Sequence, residues 1–433
     1  MSLPAHEVTT AHLGAAYPFM SSPSLGPNGV YIGQDLLGGA FSYDPFDLYE
    51  RGILTNANMI VLGQIGRGKS SFVKSYLWRQ SVFGRQSWIV DPKGEYGALA
   101  RAWGVEPIKL RPGGSICLNP LEHFASQAAS QAATQSASQA ATQSASQGVG
   151  GNQGEHERRC VELLVGLSSS CLGRTLLPTE HAAAELAVRS LVASGRGSLT
   201  LVDVVGALLN PSTDSAEQIN TDAESLTLMG RDLALELRRL VEGDLRGMFD
   251  GPTSPGIELN SPFVVLDLSS VYRSAALGAL MTCATAWLSA SLKVEDGVKR
   301  FIVIDEAWAI LNNLGVARWL QSSWKLSRSM GVSNLAVLHR LSDLKSVGQS
   351  GSEQSYLASG LLSDSETRVV YSQPKSEIQE CGDLIGLSST EAQLLPTLRR
   401  GVALWKVGSR SFLVDHRLGR HEHELVDTDS RMR

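Results

Sequence analysis

The sequence of 433 residues predicts an α/β fold built on a mostly parallel sheet with helices on both faces. Short runs rich in β-branched residues alternate with helix-length segments in residues 28–124, and the same alternation returns after Pro262. Between these two stretches, residues 155–250 place apolar side chains at helical spacing throughout, which predicts an all-α insertion. The α/β part is therefore expected to be one domain whose sequence is interrupted.

A low-complexity tract begins the interruption. Residues 125–147 repeat the tetrads ASQA and ATQS without a charge, an aromatic ring or a large aliphatic side chain. Such a segment cannot bury an apolar face, so we expect a disordered surface insert. The predicted organisation is an N-terminal segment with the first part of the core at 1–124, a linker at 125–154, the all-α insertion at 155–250, the second part of the core at 251–418 and a frayed polar tail at 419–433.

Composition excludes several classes of protein. Lys and Arg number 38 against 43 Asp and Glu, so the net charge of -5 excludes a polybasic nucleic-acid coat but leaves room for a local basic surface. Five dispersed cysteines are typical of reduced thiols.

The uncharged segment 275–292 contains Ser, Thr and Gly and lies between predicted strands, which favours a buried helix over a membrane span. We expect a cytoplasmic protein without a transmembrane segment, able to attach at the inner face of the cell membrane.

A phosphate-binding loop is the clearest motif. Residues 63–70, GQIGRGKS, match GxxxxGK[ST] in full between the predicted strand Met59–Leu62 and a helix beginning near Lys69. Glycines let the backbone N–H groups of such a loop converge on phosphate oxygens at a helix N-terminus. Lys69 is expected to reach the β- and γ-phosphates of ATP and the Ser70 hydroxyl to bind Mg²⁺. The predicted nucleotide-binding residues are Gly63, Gln64, Ile65, Gly66, Arg67, Gly68, Lys69, Ser70 and, as a weaker candidate, Ser71.

A second, acidic motif supplies the carboxylates for metal binding and water activation that the glycine loop does not contain. The run FIVIDE at 301–306 predicts a buried strand that ends in two carboxylates. Asp305 is expected to bind Mg²⁺, and Glu306 to orient and deprotonate the attacking water. This pair favours hydrolysis over transfer to a small acceptor, because the site brings its own base. Asp267, at the end of the run FVVLDL, has no following acid and is interpreted as a strand-end cap.

The order of four further motifs resembles a known family. DPKGEY at 91–96, LNPL at 118–121, IDEAW at 304–308 and SETR at 365–368 are together similar to the motor domain of type IV secretion ATPases of the VirB/TraC type, within the HerA–FtsK superfamily of P-loop NTPases. The resemblance covers most of residues 28–415. It implies a RecA-like fold with an all-α insertion, a homo-hexameric ring, and ATP hydrolysis that moves DNA or protein or assembles a secretion channel. The implied partners are secretion-channel or inner-membrane complex proteins, with DNA as a further candidate.

Two residue types in the family's mechanism need separate assignment. Such ATPases usually place an arginine of the neighbouring subunit at the γ-phosphate, for which Arg368 is the candidate, with Arg328 and Arg400 behind it. Where relatives commonly carry a glutamine that senses the γ-phosphate, this sequence has His339, which either takes over that hydrogen bond or is a buried histidine bonded to the backbone. The resemblance therefore implies Glu306, Lys69, Arg368 and His339 as catalytic residues, with Ser70 and Asp305 as metal ligands.

The sequence leaves alternatives open. The large N-terminal domain and the transmembrane helices of some relatives are missing, so we expect a stand-alone motor. A cytosolic DNA translocase of the same superfamily fits the same motifs. A nucleotide-dependent scaffold that does not hydrolyse ATP is a third interpretation, which the Asp305–Glu306 pair disfavours.

Overall fold

The computed structural model describes most of the chain. The described residues are 24–122, 149–172, 174–195, 198–257, 259, 261–272, 277–290, 292, 297–307, 321, 324–325, 327–339 and 360–426. The repeat tract predicted at 125–147, Trp308 and most of the helix predicted near 313–330 lie outside them.

The described residues form one mixed sheet of eleven strands. The strands are β1 (Val30–Asp35), β2 (Ala40–Tyr43), β3 (Met59–Leu62), β4 (Gln86–Asp91), β5 (Ile108–Lys109), β6 (Phe263–Asp267), β7 (Arg300–Ile304), β8 (Val332–Leu338), β9 (Thr367–Tyr371), β10 (Val402–Val407) and β11 (Arg410–His416). Their order across the sheet is β2-β1-β11-β10-β9-β3-β8-β7-β4-β6-β5. Pairings from β9 through β5 are parallel, and those from β2 through β9 are antiparallel. The predicted α/β class with a mostly parallel sheet is confirmed.

Helices cover both faces of this sheet. They are α1 (Pro45–Glu50), α2 (Lys69–Ser81), α3 (Gly97–Ala102), α4 (Val149–Leu172), α5 (Pro178–Ala193), α6 (Leu201–Leu209), α7 (Thr213–Glu217), α8 (Ala223–Arg239), α9 (Leu277–Ala290), α10 (Lys375–Cys381), α11 (Ser389–Leu394) and α12 (Glu422–Val426). The buried helix predicted at 275–292 is α9. Within the described parts of the chain, no helix has the length and apolar character needed to cross a membrane.

The central strands are continuous apolar runs because both of their faces are buried. Every residue of β3, β7 and β8 is buried. Successive side chains alternate between two cores: Ile60 of β3 joins the core shared with the helical insertion and α9, and Val61 joins the core shared with α2. The insertion therefore packs on one face of the sheet.

An aromatic cluster joins the antiparallel side of the sheet to α2. The Trp405 ring of β10 lies 5.1 Å from the Phe41 ring and 5.2 Å from the Tyr43 ring of β2. It also meets the Phe72 ring of α2 edge-on at 5.2 Å. Aromatic contacts at these distances add to the stabilisation from buried area, so the β1–β2 hairpin and α2 are held in one unit.

Two predicted boundaries differ from the structure. Helix α4 begins at Val149, inside the segment predicted as a linker, so the helical block starts before residue 155. The prediction of a frayed tail after residue 418 is wrong as far as residue 426. Glu422 of α12 is buried, and its two carboxylate oxygens accept hydrogen bonds from the Arg79 guanidinium of α2 at 2.6 and 2.5 Å. Residues 427–433 lie outside the described chain.

His416 makes the stability of this region depend on pH. Its Nε2 lies 2.9 Å from Ser75 Oγ of α2, and its ring packs edge-on against Phe72. Burial, together with the charge of Arg79, lowers the pKa of His416 from 6.5 to about 4. Because the unfolded chain binds this proton more readily, the stabilisation is complete above about pH 6.5 and is lost as the pH falls through 4.

Replacing His416 by Gln should remove part of this acid sensitivity. Between pH 7 and pH 4.5 the free energy of unfolding of the wild type is expected to fall by about 2–3 kcal/mol more than that of His416→Gln, as measured by urea unfolding. The matched control is His181→Gln, at an exposed position of α5, which should leave the pH dependence unchanged. An equal loss in wild type and His416→Gln would contradict this assignment.

Candidate active site

The loop between β3 and α2 has the backbone of an anion site. Gly63, Gly66 and Gly68 have φ values of 154°, 77° and 108°, a region that residues with side chains avoid. Gly68 is the N-cap of α2, whose first N–H groups have no partner within the helix. A Cβ on Gly63 would lie 2.5 Å from the Tyr371 Cβ, so this glycine is also required by the close approach of β9.

Lys69 folds its side chain back over the loop. Its Nζ donates to the carbonyl oxygens of Gly63 and Gln64, the second at 3.0 Å, and the side chain is buried. Ser70 and Ser71 are half-buried in the first turn of α2, whereas Ile65 is 80% exposed at the tip of the loop. The ammonium of Lys69 thus lies where the backbone N–H groups and the helix terminus would attract an anion.

The turn before β10 supports the loop from outside. The Gly401 N–H donates to the Arg67 carbonyl at 3.0 Å, and Arg67 Nη2 lies 3.4 Å from Gln64 Oε1. Arg400, one of the candidate arginines, is exposed in this turn beside the loop of its own chain. It therefore lies at the loop without being part of the motif.

Asp305 follows β7 directly and is buried. Its Oδ1 accepts the Glu306 N–H at 3.0 Å, and its own N–H donates to the Val90 carbonyl of β4 at 3.3 Å. Burial, together with the neighbouring carboxylates of Glu306 and Asp91, raises the pKa of Asp305 to about 7. A carboxylate in this environment gains from a nearby cation, which is the property that a metal ligand needs.

Asp91 organises the turn that follows β4. Its carboxylate accepts the N–H groups of Lys93, Gly94 and Tyr96 at 3.2, 2.9 and 2.9 Å. Burial raises the pKa of Asp91 to about 6, although these backbone hydrogen bonds oppose the shift. The result is a fixed turn that presents the Lys93 side chain to the end of β7.

Glu306 has one carboxylate oxygen with two partners. Lys93 Nζ forms an ion pair with Oε1, and His339 Nε2 lies 2.6 Å from the same oxygen. The carboxylate is enclosed, since the Glu306 side chain is only 1% exposed. Its backbone has φ of +54°, an uncommon conformation for a residue other than glycine and one that clusters at functional sites. Burial alone would lower the pKa of Lys93, but the hydrogen bond and charge of Glu306 raise it.

A chain of contacts joins Glu306 to the glycine loop. It runs through His339, at the end of β8, whose carbonyl accepts from Gln373 Nε2 at 3.5 Å. The adjoining Ser372 carbonyl accepts the Gln64 N–H of the loop at 3.3 Å. Among the described residues, neither His339 Nδ1 nor Gln373 Oε1 has a hydrogen-bond partner, although both are buried. Two buried polar atoms on this chain of contacts therefore have unused hydrogen-bonding capacity.

Sequence reasoning missed Lys93 and Gln373. The motif DPKGEY contains Lys93 but carries no sign of a contact with a strand far along the chain. Gln373 follows the run RVVYS, and a strand-end glutamine has no spacing that distinguishes it from a surface residue. Only the order of the strands brings these two residues to the predicted Glu306 and His339.

The other two candidate arginines lie away from the loop. Arg368 is part of β9, and its guanidinium donates to the Leu362 and Ile385 carbonyls of its own chain at 3.0 and 3.4 Å. Burial lowers the pKa of Arg368. Arg328 is exposed before the first residue of β8, at the opposite edge of the sheet from the loop.

Substitution of Gly63 tests the close approach of β9 to the loop. Gly63→Ala is expected to lower the free energy of unfolding by at least about 1 kcal/mol more than Gly66→Ala, because only the first new Cβ overlaps a neighbour. Gly66→Ala is the matched control: it has a positive φ in the same loop, and its Cβ would meet nothing within 4 Å. Urea unfolding of both variants measures the difference, and equal losses would contradict the overlap.

Comparison with known proteins identifies the fold. No family model matches the chain. VirB4 of Thermoanaerobacter pseudethanolicus aligns with a TM-score of 0.71 and 20% identity over 93% of this chain and 100% of that chain. The plasmid coupling protein TrwB in complex with ADP and Mg²⁺ aligns with a TM-score of 0.56 and 14% identity over 91% of each chain. TrwB with the ATP analogue ADPNP gives the same TM-score and identity over 94% of this chain and 92% of that chain.

One relative found by sequence comparison matches a smaller part of this chain. An uncharacterized protein of Bacillus anthracis is 27% identical over 130 residues, which are 28% of this chain and 20% of that protein. The chain thus matches only a fifth of that relative's length. The fold is therefore identified from the solved structures. The resemblance found in the sequence is confirmed at the level of architecture: this chain has the RecA-like α/β fold of VirB4 and TrwB.

Proposed function

We propose that this chain is an ATP-hydrolysing motor of a type IV secretion or conjugation system. The observation that carries the proposal is the contact chain from the glycine loop through Gln373 and His339 to the buried Glu306. It joins a phosphate-binding element to a carboxylate able to act as a base. The shared fold with VirB4 and TrwB supports the choice of system, and the ADP and Mg²⁺ of the TrwB complex support the choice of ligands.

The donor set fits a nucleotide with its metal. Gly63, Gly66 and Gly68 give the loop the positive φ values that let its backbone wrap around an anion, and Lys69 offers a cation to the phosphates. Ser70 and Asp305 would hold Mg²⁺, which supplies neutralisation of phosphate charge when bound. In the described parts of the chain, no three His, Cys, Asp or Glu side chains are grouped to hold a metal. Mg²⁺ commonly takes one or two carboxylates from the protein and completes its shell with phosphates and waters.

Glu306 would act as the base. As the water oxygen forms its bond to the γ-phosphorus, Glu306 takes one proton of that water, and the bond from phosphorus to the β-bridging oxygen breaks. The electron pair of that bond leaves with ADP, and phosphate is the other product. His339 would couple the two ends of the site, because its ring touches Glu306 while its Nδ1 remains available on the other side.

Three residues are candidates for the arginine that would reach the γ-phosphate in a neighbouring subunit. To serve a neighbouring subunit, Arg368 would have to give up its hydrogen bonds to the Leu362 and Ile385 carbonyls. The side chains of Arg328 and Arg400 are exposed. We retain all three candidates within a homo-hexameric ring that works with secretion-channel or inner-membrane complex proteins. DNA is a candidate substrate of the ring.

Replacing Glu306 by Gln tests the function directly. The expected result is a kcat at least about 100-fold lower, because the amide cannot take the proton, with ATP binding retained. Phosphate release measures the rate, and a fluorescent ATP analogue measures binding. The matched control is Asp267→Asn at the end of β6, a carboxylate that caps the Ser269 N–H at 3.0 Å and should leave most of the activity.

The same assay separates the alternatives. Equal, near-zero rates for wild type and Glu306→Gln with intact ATP binding would favour the non-hydrolysing scaffold. Stimulation of wild-type turnover by DNA would favour DNA transfer, including the cytosolic HerA/FtsK-like translocase, over transport of protein alone. Light scattering in the presence of ADPNP tests the ring, and a monomer alone would contradict a trans arginine.

A further inference from the structure

The Glu306 carboxylate is not accessible to water in this conformation. Two nitrogen atoms contact Oε1, namely Lys93 Nζ and His339 Nε2, and these nitrogens lie 3.4 Å from each other. The rest of the side chain is enclosed. A water molecule can therefore reach this oxygen only after one of the two partners has moved.

Lys93 is the partner that is free to move. The Lys93 side chain is 25% exposed and that of His339 is 21% exposed, so both partners lie on the solvent side of the enclosed carboxylate. They differ in freedom of movement, because Lys93 carries its ammonium on a flexible four-carbon stem, whereas the His339 ring follows β8 directly on a backbone whose carbonyl accepts from Gln373. The Tyr272 ring lies 5.9 Å from Lys93 Nζ, a cation–π contact that does not depend on the ion pair to Glu306. Since Asp91 fixes the backbone of the turn, movement of the Lys93 side chain alone would open the pair.

The turn does not need Lys93 for its own stability. Asp91 holds three backbone N–H groups of the turn, and the buried Lys74 lies over the Tyr96 ring and 3.9 Å from Glu95. These contacts secure residues 91–96 from the inside of the fold. The ion pair to Glu306 is made in addition to them, and it acts on the one carboxylate proposed as the base.

We infer that Lys93 restrains hydrolysis: its ion pair holds Glu306 away from water and must open before the carboxylate can act as a base. The inference rests on the proposed function, because it assigns a regulatory contact to the same site. Lys93 is a positioning residue in this account, and it acts only through Glu306. The left-handed backbone of Glu306 is consistent with a conformation that the ion pair stabilises and that relaxes when the pair opens.

Removing the charge of Lys93 should raise the basal rate. Lys93→Met keeps an unbranched side chain of similar length, and its kcat for ATP is expected to be about two- to fivefold above the wild type. The KM for ATP should change by less than about twofold, since the lysine lies outside the glycine loop. Lys93→Arg restores a cation and should return the rate toward the wild-type value. The matched control is Lys299→Met, a lysine paired with Glu50 at the opposite end of β7, which should leave kcat unchanged.

A second measurement does not depend on turnover. In the nucleotide-free protein, Lys93→Met and Glu306→Gln should show a coupling in a double-mutant cycle of urea unfolding, because each removes the same ion pair. Additive effects would overturn the inference whatever the rates are.

The two proposals fail in different ways. If wild-type hydrolysis depends on Glu306 but Lys93→Met is no faster than the wild type, the restraint is overturned and the motor function stands. If neither protein hydrolyses ATP, both proposals are overturned, since removal of the restraint should expose activity.

Discussion

The candidate site depends on one constraint, the parallel alignment of β3, β8, β7 and β4. Parallel strands end at the same edge of a sheet, so every loop that follows one of them opens on one crevice. The glycine loop, His339, the Asp305–Glu306 pair and the turn at 91–96 follow these four strands. Residues far apart in the sequence thus reach hydrogen-bond distance without any of the helices having to carry a functional side chain into place. The exceptions are Lys69 and Ser70, which lie in the first turn of α2.

The same constraint explains what the sequence could and could not predict. A continuous apolar run such as FIVI followed by two acids is a local signal, and so is GQIGRGKS with its flanking strand and helix. Both positions were therefore predicted from neighbouring residues alone. The pairing of Lys93 with Glu306 depends on β4 and β7 being adjacent in the sheet, and no local pattern encodes strand order. The contacts of Gln373 could not be predicted for the same reason, since they depend on β9 lying beside β3.

The packing of the helical insertion can also be predicted only in part from the sequence. Helical periodicity predicts where apolar stripes lie, but it does not say which surface they cover. In the structure, buried residues of α4 and α8 such as Leu164 and Leu237 share one core with Ile302 of β7. The insertion is therefore a cover for one face of the sheet, and its removal would expose strands that are apolar on both sides. The repeat tract precedes this cover in the sequence, and the helical pattern already begins at Val149.

The contact between Arg79 and Glu422 links the end of the described chain to the helix that carries Lys69. Arg79 also donates to the Arg417 carbonyl at 2.6 Å, so the guanidinium holds both the side chain of α12 and the strand exit that leads to it. Trimming the polar residues after 418 would thus leave a cation on α2 without its carboxylate. Truncation before Glu422 would therefore remove a contact to the helix that begins at the glycine loop, as well as shorten the polypeptide.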